Sequence, residues 1–270
     1  MEKPMQEKVA FLGAGNIAKA IMGGMLKKGV SPSSLFAADP SQNQIAALPS
    51  GVTGFSDNLK AIAQADVVVL AVKPNTIAEL CAALSPTIGG RLVISVAAGI
   101  QSGTLQAGLG ASVPIIRCMP NTPALVQAGM TGLFATSNVT DAQKQSAENI
   151  LSAIGLLEWF PRESDLDAVT AVSGSGPAYF FLVIEAMEAA AVELGLTPEV
   201  AHQLVTQTAL GAAMMARDSA DSVSILRNNV TSPGGTTAAA INSLTEDQIP
   251  AIFARAIASA HKRSIELANE

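Results

Sequence analysis

Gly13-Ala14-Gly15-Asn16-Ile17-Ala18 follows a compact apolar run, Val9-Ala10-Phe11-Leu12, and opens a helical stretch. This is the GxGxxA form of a dinucleotide-binding turn. Gly13 permits the tight turn, Gly15 lets a pyrophosphate approach the backbone, and Ala18 is small enough for close helix–sheet packing. Asn16 and Ile17 begin the helix, whose positive end faces the phosphates. Asp39 ends the second apolar run, Leu35 to Ala38. A carboxylate there bonds the adenosine ribose 2′-hydroxyl and repels a 2′-phosphate, which favours NAD over NADP. No Arg or Lys stands between Leu35 and Leu59 to hold such a phosphate. The alternative is that Asp39-Pro40-Ser41 forms a plain turn.

A reductase needs a second surface that holds the acceptor against the nicotinamide. Two segments qualify. Ser173-Gly174-Ser175-Gly176-Pro177-Ala178-Tyr179 interrupts a helical stretch and carries the single tyrosine. Thr231-Ser232-Pro233-Gly234-Gly235-Thr236-Thr237 precedes an Ala-rich helix read from Ala238. In the second, a Gly-rich turn feeds backbone N–H groups and hydroxyls into a helix N-terminus, a receptor for a small carboxylate. Two adjacent glycines with four hydroxyl residues exceed what capping alone requires. Between Asp165 and Val200 there is no Lys, Arg or His. Reducing a ketone needs a proton donor for the developing alkoxide, whereas an iminium arrives already protonated. The absence favours C=N over C=O reduction.

The elements that must position these residues alternate. Strands are predicted at Val9 to Leu12, Leu35 to Ala38, Asp66 to Val72, Leu92 to Val96, Pro114 to Arg117, Thr131 to Ala135 and Leu156 to Phe160, with helices between them. That pattern predicts a mostly parallel, doubly wound sheet. Lys73-Pro74 and Val96 to Gly99 fall at the carboxyl edge, where ligands collect. Lys73 is either a cofactor contact or a solvated turn lysine. Beyond Arg162 the chain reads as all-helical, broken once at 173–177. Thr197-Pro198-Glu199 opens one helix, and Thr245 to Gln248 has capping-box spacing before the last. The expected division is a dinucleotide-binding domain at 1–162 and a helical substrate-binding and dimerisation domain at 163–270.

The chain has 270 residues, 49% apolar and 14% charged. Ordinary soluble domains carry roughly 25% charged residues, so part of the exterior is expected to be buried against other copies. A net charge of −6 disfavours nucleic acid and anionic membranes as partners. No run of 18 uninterrupted apolar residues suggests a membrane span, and the N-terminus lacks the apolar region of an export signal. Cys81 and Cys118 read as buried thiols of a cytoplasmic protein, and with two histidines they make no metal cluster.

Together FLGAGNIAKAI, AVKP, VAAG, RCMPNTPALV, VSGSGPAYFF and NNVTSPGGTTAAAI resemble the pyrroline-5-carboxylate reductases, over essentially the whole chain. The resemblance implies a Rossmann-like domain joined to an all-α dimerisation domain. It also implies reduction of 1-pyrroline-5-carboxylate to L-proline with NADPH or NADH. By the same resemblance the turn residues Gly13 to Ile17, with Asn58, Val72, Lys73, Pro74, Ala97 and Asn229, contact the dinucleotide. Ser232, Gly234, Gly235, Thr236 and Thr237 hold the substrate, with Thr237 bonding the ring nitrogen. Dimers through the helical halves, or rings of such dimers, follow from it too. Asp39 departs from the family's usual pattern there and sets a lean toward NAD against the family's lean toward NADP. The alternatives are a reductase of a related cyclic imino acid, such as piperideine carboxylate, and a non-catalytic sensor of NAD(P).

Overall fold

The apolar runs become the strands of one eight-stranded sheet. In the computed structural model, which describes residues 7–268, these are β1 (Val9–Leu12), β2 (Leu35–Ala38), β3 (Thr53–Phe55), β4 (Val67–Leu70), β5 (Leu92–Ser95), β6 (Ile115–Met119), β7 (Gly129–Ala135) and β8 (Gly155–Trp159). Their order is β3-β2-β1-β4-β5-β6-β7-β8. Every neighbouring pair is parallel except β6 with β7. The sheet is therefore doubly wound, and the order reverses between β1 and β4, where such sheets bind ligands. β3 had no signal in the sequence: three residues with a central glycine make no apolar run.

Alternate residues of each central strand enter different cores, as a two-residue period requires. Val9, Phe11, Val67 and Val69 pack with α1 (Asn16–Lys27) and α6 (Asp141–Leu151) on one face. Ala10, Leu12, Val68 and Leu70 pack with α3 (Asn58–Ile62), α4 (Ile77–Ile88) and α5 (Ser102–Leu109) on the other, and α2 (Gln42–Ala46) lies by β3. With both faces covered, these strands can be wholly apolar. α6 starts with a true capping box between Thr140 and Gln143.

The helical half follows from α7 (Asp165–Val169) through α8 (Gly176–Glu193), α9 (Pro198–Asp218), α10 (Val223–Asn229) and α11 (Thr236–Glu246) to α12 (Ile249–Ala268). The cap read at Thr197 is present, its hydroxyl accepting the Val200 N–H at 3.4 Å. Two expectations need correction. The segment 173–177 does not break the helix: Thr170–Gly174 forms a wide π turn between α7 and α8. Pro177 has no N–H and its ring crowds the carbonyl four residues back, so the helix widens rather than ending. Nor does Thr245 cap the last helix. It lies in the final turn of α11, where its hydroxyl donates to the Ile241 carbonyl at 2.7 Å.

The chain forms two compact units that do not follow the change from strands to helices. One runs to Ser175 and takes back the chain from Ala260 onward; the other is Gly176–Ser259. The C-terminal end of α12 is tied into the first unit by Ser264, whose hydroxyl donates to Asp167 at 2.7 Å. Within the second unit α8 packs on α9, and His202 bonds Glu188 at 2.8 Å. Many large apolar side chains there face outward, Leu194 at 87% and Phe180 at 71% exposure among them. The continuous helix Asp165–Glu193 is long and apolar enough to cross a membrane by length and composition alone.

Candidate active site

The Gly-rich turn sits where β1 ends, at the point of reversal. Gly13 has φ +93°, and a Cβ there would lie 2.5 Å from the Ala71 carbonyl oxygen. Its N–H donates to the Ala38 carbonyl at 2.8 Å. At Gly15, by contrast, a Cβ would meet nothing within 4 Å. Gly15 is the N-cap of α1 and no side chain caps that helix. The first N–H groups of α1, at Asn16 and Ile17, therefore open onto free space, which fits a pyrophosphate.

Asp39 does more than the sequence suggested. Its Oδ2 accepts the Ala14 N–H at 2.9 Å, and its Oδ1 accepts the Ser41 N–H at 2.9 Å. The carboxylate thus braces the turn, and Ala14 spends its N–H on Asp39 instead of on a phosphate. Asn58 is the first residue of α3, next to Asp57, which caps that helix through the Leu59 N–H at 2.8 Å. Val72 is half-buried, while Lys73 and Pro74 are exposed. The Lys73 carbonyl accepts both the N–H and the hydroxyl of Thr76, at 3.0 and 2.8 Å.

On the far side of the switch point, a cavity of about 340 Å³ lies between the helix start at Asn16 and Ile17 and the end of β5 at Val96 and Ala98. The adenine half of a dinucleotide belongs on the Asp39 side of such a sheet, so this cavity is on the nicotinamide side. Ala97 itself is buried in the core, and its two neighbours form the wall. The opposite wall is Met119, Pro120, Asn121, Thr122, Leu125 and Gly174. Gly174 belongs to the first of the two segments read as holding the acceptor, whereas 119–122 had no role from the residues alone. The one available signal was the density of Pro and Asn directly after a strand. A second cavity, about 680 Å³, adjoins it across Ala98 and reaches Arg263 and Ser264 of α12.

A buried ion pair holds this region. Arg117, on β6, bonds Glu163 at 3.0 Å, with side chains 7% and 22% exposed. Glu163 also accepts the N–H and hydroxyl of Ser102, each at 2.6 Å, and so caps the positive end of α5. Burial pushes the Cys81 thiol up to about 11, and raises Cys118 further although Arg117 pulls it down. Both cysteines are free and buried, so neither offers a thiolate. Among the described residues no group of three potential metal ligands occurs.

The remaining candidates, Asn229 and 232–237, belong to the second unit. α11 begins at Thr236, two residues earlier than read, with Gly235 as N-cap and no side-chain cap. Gly234 takes φ +72°, and the Gly235 N–H closes the turn on the Ser232 carbonyl at 3.0 Å. Ser232 and Thr236 are exposed and Thr237 is half-buried. Thr231 instead bonds back to the Arg227 carbonyl at 2.6 Å. An uncapped helix start flanked by hydroxyls can receive an anion.

A doubly wound sheet with this turn, joined to a helical region, defines an NAD(P)-dependent oxidoreductase that self-associates through its helices. Residues 8–99 match the profile described as NADP oxidoreductase, coenzyme F420-dependent, and residues 163–267 match that described as pyrroline-5-carboxylate reductase dimerisation. The pyrroline-5-carboxylate reductase of Pseudomonas aeruginosa is 46% identical, with 97% of each chain covered. That of Escherichia coli is 36% identical, covering 97% of this chain and 99% of its own. Among solved structures, the Coxiella burnetii pyrroline-5-carboxylate reductase superposes with a TM-score of 0.94 at 42% identity, covering 97% of this chain and 99% of that one. The Plasmodium falciparum pyrroline carboxylate reductase, with NADP bound, gives 0.88 at 30%, covering 98% and 100%. The chain belongs to the pyrroline-5-carboxylate reductase family.

Proposed function

We propose that the chain reduces the C=N bond of 1-pyrroline-5-carboxylate to give L-proline, the last step of proline biosynthesis, using NADPH or NADH. The observation that carries this reading is the turn Ser232–Thr237, where a helix of eleven residues starts without a side-chain cap. The N–H groups of Thr236 and Thr237 and the Ser232 hydroxyl are suited to the substrate carboxylate, while Gly234 and Gly235 shape the turn that presents them, the Gly235 N–H being held by the Ser232 carbonyl. Thr237 bonds the ring nitrogen. When bound, the reduced nicotinamide supplies the hydride. The chain's own part is positioning: Gly13 and Gly15 admit the pyrophosphate, Asp39 holds their turn in shape, and Asn58, Val72, Lys73, Pro74, Ala97 and Asn229 complete the dinucleotide contacts. Catalysis of this kind rests on geometry, because the iminium carries its own electrophilic charge.

Outward-facing Phe180, Leu194 and Met215 support burial of the second unit against another copy, as a dimer or a ring of dimers. That surface also accounts for the apolar helix Asp165–Glu193 without a membrane. Net charge −6 supports no nucleic-acid partner, and two buried free thiols suit a cytoplasmic setting.

The test is the rate of reduced-nicotinamide oxidation with 1-pyrroline-5-carboxylate and, separately, with piperideine carboxylate. Faster turnover of the five-membered ring supports the reading. Preference for the six-membered ring moves the substrate, and binding of the dinucleotide with no turnover of either marks a sensor.

A further inference from the structure

We propose that Asn121 is a positioning residue for this reaction, its carboxamide replacing the N–H that Pro177 lacks and so fixing one wall of the nicotinamide-side cavity. The inference rests on the reduction proposed above. In a regular helix the Ser173 carbonyl would accept the N–H of residue 177, which here is proline. The helix widens, the Ser175 N–H reaches back to the Thr170 carbonyl at 2.8 Å, and the Ser173 carbonyl is left over. Asn121 Nδ2 donates to it at 3.0 Å, across 52 residues of sequence.

The other end of the same carboxamide is also committed, since Asn121 Oδ1 accepts the Met130 N–H at 2.9 Å. Asn121 is the N-cap residue of the 3-10 turn Thr122–Val126 and is of a type well suited to capping, yet its side chain makes no cap bond there. It is spent on the π turn instead. Asn121 and Gly174, the residue next to Ser173, both line the cavity that Asn16 and Ala98 close from the other side. The lock therefore joins two distant segments of one wall. π turns occur disproportionately at functional sites, where a widened turn re-aims backbone that a regular helix would bury.

Three variants of the full chain test this: Asn121→Ala, Asn121→Asp, which keeps the Oδ1 acceptor but loses the donor, and Pro177→Ala, which returns an N–H to Ser173. Each is measured for kcat, for NADPH affinity, for Tm, and for the emission of NADPH at saturation without substrate. Both Asn121 variants are expected to lose tenfold or more in kcat while NADPH affinity stays within twofold, and to lose half or more of the emission gain on binding. Pro177→Ala is expected to keep or raise Tm while losing kcat and emission gain in the same way, because the turn narrows and frees Asn121. A structural role alone would make Pro177→Ala at least as active as the wild type, and that result overturns the proposal. If the wild type does not turn over 1-pyrroline-5-carboxylate, the reaction is refuted but the lock is still decided: unchanged emission in all three variants overturns it, and the expected loss upholds it.

Discussion

The carboxylate of Asp39 accepts the backbone N–H of Ala14 at 2.9 Å, across the turn that must admit a pyrophosphate. One acid therefore braces the loop before α1 and, in the dinucleotide pose proposed above, also sets a negative charge toward the adenosine ribose. The two effects separate by substitution. Asp39→Asn removes the charge and keeps one acceptor, so NADPH use improves relative to NADH. Asp39→Ala removes both, and affinity for each dinucleotide falls by about 1.5–3 kcal/mol, the magnitude of a hydrogen bond to a charged group. Initial rates and binding titrations with both reductants check this.

Thr237→Ala removes the hydroxyl assigned to the ring nitrogen and leaves the helix start intact. kcat/KM for the imino acid is expected to fall by about 1–3 kcal/mol of transition-state binding, with dinucleotide affinity unchanged. Steady-state kinetics on folded variant measure it, and an undiminished kcat/KM removes Thr237 from the mechanism.

Glu163→Ala leaves Arg117 buried without its partner and removes the cap of α5. Breaking a buried pair costs about 3–5 kcal/mol, and partial solvent access to Glu163 puts the loss near the lower end. Denaturant unfolding gives the value. Replacing both partners with apolar residues of similar volume is expected to restore part of it, because no unpaired charge then remains.

Burial raises the Cys81 thiol from 9.0 to about 11, and Cys118 is raised as well. The sign follows from proton counting. Between these values the unfolded chain has released protons that the folded chain still holds, so stability falls as pH rises above about 9. Denaturation midpoints across that range detect the fall. At pH 8 both thiols resist a disulfide reagent until the protein unfolds.

How much of this was legible depended on whether a residue's role is local. Val67 to Leu70, buried on both faces, reads as a strand because nothing polar interrupts it. The GxGxxA turn reads as a dinucleotide site because its whole pattern lies in six consecutive residues after an apolar run, although the contact that requires glycine at 13 is with the Ala71 carbonyl of a distant segment. Asp39 reads from the sequence as the end of β2, but its bond to Ala14 needs the register of β1 against β2, which a single sequence does not state. Asn121 and Ser173 are 52 residues apart, and only the fold shows that one supplies what Pro177 takes from the other. Thr245 misled for a related reason: a hydroxyl followed three residues later by Gln matches a capping pattern, yet α11 already extended through it.

The most direct measurement uses NADPH deuterated at the transferring position, with purified protein and 1-pyrroline-5-carboxylate, and locates the label in the product. The expected result is L-proline carrying one deuterium on the ring carbon formerly double-bonded to nitrogen, with one reductant consumed per proline formed. Oxidation of the reductant without labelled proline, or no oxidation at all, would contradict the assignment of this chain as an imine reductase.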